Sequence, residues 1–300
     1  MRRSIRYMLR SAACVALFAS LIAPAPAPAA DRRLLIVAAE NFYGDVARQL
    51  AGSDIRVVSL LQSPDADPHL FEPDAATARL VADADILIYN GLHYDPWVER
   101  LLVNAGRHAR HTLEVAALLR RQGAAVNPHL WYDPQTMPIL AAALSSQLQR
   151  LDPAGASQYA ARLAVFQRSL QPVTARIDEL RTRYAGVAVT ATEPVANDLT
   201  DAIGLRMYNS NFQLAIMNDT EPGARETAQF EQSLRSHSVQ LLLYNRQTGG
   251  EIVQHMQEVA RQAAVPLVGV TEMEPAGTGY AQWMLATLGD IAGALAAAHP

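Results

Sequence analysis

Two short stretches of this chain, "DADPHLFEP" at residues 65–73 and "NPHLWYDP" at 127–134, each set a histidine directly after a proline. Both follow it with a hydrophobic or aromatic pair and close on an acid–proline step, Glu72-Pro73 and Asp133-Pro134. Proline fixes its own φ and narrows the choices of its neighbours, so an imidazole in such a frame is held toward one point. A loop histidine met alone is usually a surface or capping residue. Two of them, His69 and His129, in matching frames sixty residues apart, point to a shared ligand. The ligand that suits imidazole is a divalent transition metal such as zinc, manganese or iron.

Such loops need a scaffold, and the hydrophobic pattern supplies one. Strand-like apolar runs occupy 33–39, 55–61 and 84–90, with helix-like periodicity between them at 42–51 and 74–83. The stretch 134–152 reads as a helix beginning at Asp133-Pro134. The alternation then stops, and 154–184 reads as one long helix of about 45 Å, kinked at Pro172. It resumes with runs at 187–192, 212–218, 239–245 and 266–272. Strand–helix alternation of this kind implies parallel sheets with helices on both faces. The expected fold is α/β, two parallel-sheet lobes joined by one long rigid helix. The expected boundaries are 31–152, 153–185 and 186–300, with limited lobe rotation and a largely preformed cleft.

Ligands of open parallel sheets bind outside the carboxyl ends of the strands. At those ends stand His69, His93, Glu193, Asp219, Glu221 and Glu272, with His129 in the loop feeding the 134–152 helix. Imidazoles and carboxylates thus gather on one rim. Cys14 is the only cysteine, so no thiolate is available beyond the leader.

That leader has three parts: basic "MRRSIRYMLR", apolar "SAACVALFASLIA" and small-residue "PAPAPAA". This order is that of a secretory signal peptide, cut after Ala29 or Ala30, and its apolar part is too short to span a bilayer. Cleavage moves the formal charge from -4 to -8. An exported, cysteine-free chain fits the periplasm. Every basic residue is arginine, and no basic stripe or aromatic-interleaved patch suggests nucleic acid.

The stretch "SPDADPHLFEPDAATARLVADADILIYNGLHYDPWVERLL", followed by "NPHLWYDP" and later by "VTEMEPAGTGYAQWM", resembles the zinc- and manganese-binding solute-binding proteins of bacterial ABC importers. The likeness extends over nearly the whole mature chain. It implies two α/β lobes on a rigid helix, no enzymatic activity, and a monomer that delivers manganese or zinc, or iron(II), to a membrane permease with its ATPase. It also implies His69 and His129 as the first two ligands, Glu193 of "TATEP" as the third and Glu272 of "VTEMEP" as the fourth, with Glu274 as rival. The chain departs from the zinc-type pattern in its glutamate at the third position and in lacking a long histidine-rich loop. His108 and His111 are all that stand near that loop's place and read as surface residues; His93 is a candidate extra nitrogen. Two histidines with two carboxylates form a harder site than three histidines, which leans toward manganese or iron(II), although zinc accepts the same donors.

A secreted metallohydrolase is the competing reading, since the same residues could hold a metal with an open position for water. Against it, the chain has no HExxH or comparable spacing, and both framed histidines sit on loops.

Overall fold

The apolar run 33–39 becomes β1 (Leu35–Ala38), buried at all four positions, because a central strand of a parallel sheet is covered on both faces. The computed structural model describes residues 33–64, 71–104, 111–123 and 126–298. After β1 come α1 (Asn41–Ala51), β2 (Arg56–Ser59), α2 (Ala75–Asp83), β3 (Ile86–Tyr89), α3 (Pro96–Asn104), β4 (His111–Glu114) and α4 (Val115–Leu118). The strands are all parallel, in the order β2-β1-β3-β4. Asp74 starts α2 by accepting the backbone N–H of Thr77 at 2.7 Å, an N-cap that fits the Pro73-Asp74 step.

Three helices connect the halves: α5 (Thr136–Leu151), α6 (Ala156–Ser169) and α7 (Gln171–Tyr184). The long helix expected over 154–184 is therefore two helices that meet at Leu170. Pro172 falls in the first turn of α7, where its missing N–H costs nothing, so the chain starts a new helix there.

The second half repeats the plan of the first. It comprises β5 (Ala188–Ala191), α8 (Asn197–Ile203), β6 (Arg206–Tyr208), α9 (Ser210–Met217), α10 (Ala224–Arg235), β7 (Leu242–Asn245), α11 (Glu251–Gln262), β8 (Leu267–Val270) and α12 (Tyr280–Ala298). Its parallel strand order, β6-β5-β7-β8, matches that of the first sheet position for position. One expected strand is corrected here: 212–218 lies in and just beyond helix α9, and the strand is β6, a few residues earlier. Phe212 and Ile216, four residues apart, face the same core cluster, as a helical period requires.

One hydrophobic core runs through both halves, joining Ile36, Phe42 and Trp131 of the first to Leu243, Val268 and Trp283 of the second. A separate cluster around Phe212, Phe230, Leu234 and Met256 fills the outer side of the second sheet. Aromatic rings cross the seam: Phe42 and Trp283 have centroids 6.1 Å apart, and Tyr132 and Trp283 5.6 Å apart. Polar contacts cross it too. Tyr132 donates to the Thr271 carbonyl at 2.9 Å, and Tyr280 to the Trp131 carbonyl at 2.8 Å. Asn41 and the Glu274 backbone exchange two hydrogen bonds of 2.8 and 3.1 Å.

Candidate metal centre

His129 is held from behind before any ligand is considered. Its ring is fully buried, edge-on to Trp131 with centroids 5.3 Å apart and beside Tyr94 at 6.0 Å. Asn127 Oδ1 lies 2.7 Å from the imidazole Nδ1 and 3.2 Å from the His129 backbone nitrogen. The Asn127 Nδ2 donates to the Pro194 carbonyl at 2.8 Å, so the amide has one consistent orientation. An acceptor at Nδ1 places the ring proton there and leaves the Nε2 lone pair pointing away from Asn127. A 3₁₀ turn over Leu130–Tyr132, locked by Thr136 Oγ1 donating to the Leu130 carbonyl at 2.6 Å, fixes the loop beyond.

The carboxylates come from the other sheet. Glu193 stands just past the end of β5 and Glu272 just past β8, with Asn245 at the end of β7 between them. β5 and β7 flank the point where strand order reverses, the place where open α/β sheets gather ligands. Both carboxylates are almost wholly buried. Asn245 Nδ2 donates to Glu193 Oε2 at 2.8 Å and to Glu272 Oε1 at 2.6 Å. Tyr94, from the first half, donates its hydroxyl to Glu272 Oε2 at 2.9 Å. Burial and the Glu272 charge hold the Tyr94 phenol well above its ordinary pKa, so it stays a donor.

The arrangement brings His129, Glu193 and Glu272 together, each offering one ligand atom, all within 4.8 Å of one another. His129 Nε2 faces Glu272 Oε2 at 3.9 Å. His69 lies outside the described residues. Pro64, the last described residue before it, accepts Gln247 Nε2 at its carbonyl at 2.7 Å, while Gln247 Oε1 accepts the Glu272 backbone N–H. One glutamine therefore ties Pro64 to the backbone of Glu272. Asn245 and Tyr94 are neutral donors, so they orient two buried carboxylates without cancelling their charge, an arrangement suited to a cation.

The other candidates lie elsewhere. Glu274, the rival to Glu272, lines a separate groove with Asn41, Arg48 and Ser59, and burial raises its carboxyl pKa to about 8. His93 is exposed, on left-handed backbone with φ 60°, and the adjacent Tyr94 points inward in its stead. Asp219, Glu221 and His111 are exposed; His108 lies outside the described residues. Sequence reasoning passed over Tyr94, Asn127, Asn245 and Gln247. Asn245 had the same signal as the acids, a polar residue closing an apolar strand, but as an amide it did not read as a ligand.

The zinc-uptake family described as "ZnuA: Zinc-uptake complex component A periplasmic" matches residues 36–294. The chain belongs to this ZnuA family. It is accordingly a periplasmic metal-binding component of an uptake complex, and not an enzyme. It is similar to the zinc-binding protein TroA of Treponema pallidum, with 24% identity over 221 residues, covering 71% of this chain and 68% of that one. It is also similar to the manganese-binding lipoprotein MntA of Halalkalibacterium halodurans, with 28% identity over 142 residues, about half of each chain (46% of both). The ZnuA-family fold is evident in a solved structure of the Treponema pallidum periplasmic zinc-binding protein TroA, which superposes with a TM-score of 0.74 at 18% identity, covering 88% of this chain and 99% of that one. The two-lobed α/β architecture expected from the strand pattern is thus that of the family.

Proposed function

We propose that this ZnuA-family chain captures one divalent transition metal ion, zinc or manganese with iron(II) as a further candidate, between His69 and His129 of one lobe and Glu193 and Glu272 of the other. The convergence of His129, Glu193 and Glu272 from both lobes carries this reading. A metal bound there is joined to both lobes, so its capture and the relative position of the lobes are linked. The loaded protein, a monomer, then hands the ion to the membrane permease of an ABC importer, powered by its ATPase. The lobes are residues 31–152 and 186–300, with 153–185 linking them, and residues 1–30 are the cleavable signal that sends the chain to the periplasm. A polybasic nucleic-acid surface plays no part in it, and among the described residues no helix is long and apolar enough to cross a membrane.

The test is metal binding by His69→Ala and His129→Ala, followed by competition with a chromophoric chelator. Each variant should lose tight binding of both zinc and manganese while its circular dichroism matches wild type, because each removes one of only two imidazoles. Unchanged affinity in both would remove the proposed site. Elemental analysis of protein purified from its own periplasm would then name the ion.

A further inference from the structure

Asn90 follows directly on β3 and is fully buried, and its side-chain amide has three partners. Its Oδ1 accepts the Tyr43 hydroxyl at 2.6 Å, and its Nδ2 donates to the carbonyls of Gly91 and Pro128, both at 2.9 Å. Carbonyls can only accept, so the amide has one orientation, and its two N–H groups meet two acceptors. Among side chains of this length only asparagine offers two donors beside an acceptor.

Pro128 and His129 share one peptide unit, and it is held at both of its polar atoms. Its carbonyl accepts Asn90 Nδ2 at 2.9 Å and the Leu130 N–H at 2.8 Å, while its N–H meets Asn127 Oδ1 at 3.2 Å. Asn127, Trp131 and Tyr94 set how the imidazole is turned. The peptide sets where its Cα stands, and with it how far the ring reaches toward the other lobe, where Nε2 lies 3.9 Å from Glu272 Oε2. The second carbonyl held by Asn90, that of Gly91, also accepts the Tyr94 N–H at 3.1 Å. Tyr94 in turn donates its hydroxyl to Glu272 Oε2 at 2.9 Å. One amide therefore grips the two loops through which the first lobe meets Glu272.

Resting on the metal-capture reading above, we propose that Asn90 is a positioning residue of the metal centre: by holding the Pro128 and Gly91 carbonyls with one amide, it fixes His129 and Tyr94 relative to each other and so sets where the imidazole stands against Glu272. It acts through the backbone, since its side chain touches no ligand side chain. Binding sites of this kind need their donors held to within about half an ångström. Residues that hold metal ligands in place commonly contribute about 10–100-fold to affinity.

The experiment measures zinc affinity by chelator competition, and the visible absorption bands of the cobalt(II)-loaded protein, in wild type, Asn90→Ala, Asn90→Ser and Tyr43→Phe. Serine keeps a hydroxyl but ends one bond short of the Pro128 carbonyl, so it serves if the alanine variant fails to fold. Tyr43→Phe removes the third partner of the same buried amide and spares both carbonyl contacts, so it reports what a loss of local stability does by itself. Both Asn90 variants should bind zinc roughly tenfold or more weakly and shift the cobalt bands, because the donors no longer stand in the same places. Tyr43→Phe should unfold at a lower temperature, with a buried acceptor left unpaired, yet keep wild-type affinity and bands. Wild-type affinity and bands in a folded Asn90 variant, or equal losses in Tyr43→Phe, would show that Asn90 is only structural and overturn the proposal. Absence of tight zinc binding in wild type, or wild-type affinity in His129→Ala, would instead remove the metal site and the proposal with it.

Discussion

Asn127 brackets His129, with its Oδ1 2.7 Å from the imidazole Nδ1 and its Nδ2 2.8 Å from the carbonyl of Pro194, the residue after Glu193. One amide thus sets which nitrogen of the histidine is open and ties that histidine to the loop of a carboxylate on the other lobe. Partners of this kind commonly contribute about 10–100-fold to metal affinity. Asn127→Ala should therefore weaken zinc binding by roughly that range while the metal-free protein keeps its circular dichroism. Wild-type affinity in this variant would mean that the packing of Trp131 and Tyr94 alone orients the ring.

Metal should stabilise the fold through both lobes at once. A ligand that binds only the folded chain adds about 4 kcal/mol at a thousandfold excess over its dissociation constant. The unfolding temperature of wild type should rise with the logarithm of free zinc, and a Glu193→Gln, Glu272→Gln double variant should lose nearly all of that rise. Full stabilisation of the double variant by zinc would show the carboxylates to be misassigned.

Proton competition offers a count of the histidines. Imidazole must be neutral to bind, and its reference pKa of about 6.5 lies above the roughly 4.3 of glutamate. With two histidine ligands, log affinity should fall with a limiting slope of about two per pH unit on the acid side of the imidazoles, steepening only where carboxylates protonate. Since His93 is exposed and stands apart from the triad, His93→Gln should leave that slope unchanged. A wild-type slope near three that drops to two in the variant would make His93 a ligand.

Glu40 and Asp95 form a buried carboxyl pair within the first lobe. Neither oxygen of Glu40 has a donor among the surrounding groups, and burial and the Asp95 charge raise its pKa well above the ordinary carboxyl value. Asp95 is raised as well, chiefly by burial, although it accepts the backbone N–H groups of Asn90 at 2.6 Å and Gly91 at 2.9 Å. A proton shared between the two carboxyls is the expected state of such a pair, since two buried carboxylates side by side do not both ionise. A folded-state pKa above the unfolded value means that the folded chain binds more protons, so stability falls as pH rises from about 4 through the folded value. Glu40→Gln, which replaces the shared proton with an amide donor, should be more stable than wild type at pH 8 by roughly 1–3 kcal/mol, the usual cost of an unsatisfied buried polar group. The gap should close toward pH 4. Parallel denaturation curves at both pH values would argue that the pair does not share a proton.

The sequence by itself determined the central strands, the helices at 42–51, 74–83 and 134–152, and the rim on which His129, Glu193 and Glu272 stand. Their signals are local: continuous apolar runs for strands covered on both faces, and a polar residue closing each run. It did not disclose β4 and β6, edge strands of four and three residues with largely exposed faces, because they carry no hydrophobic run to read. It misread 212–218 because a short, mostly apolar stretch is compatible with either element; in the fold it is helical, with Phe212 packed on Phe230 at 4.6 Å between centroids. It placed one helix where Pro172 allows two. Above all, the choice among the rim residues belonged to the tertiary structure. Glu272 and Glu274 are two residues apart and chemically alike, yet one faces His129 and the other Arg48, and that depends on the backbone of a single loop. Asn245, Asn127, Tyr94 and Gln247 act by hydrogen bonds across 25 to 183 positions of chain, a relation of direction and distance that spacing along a sequence does not encode.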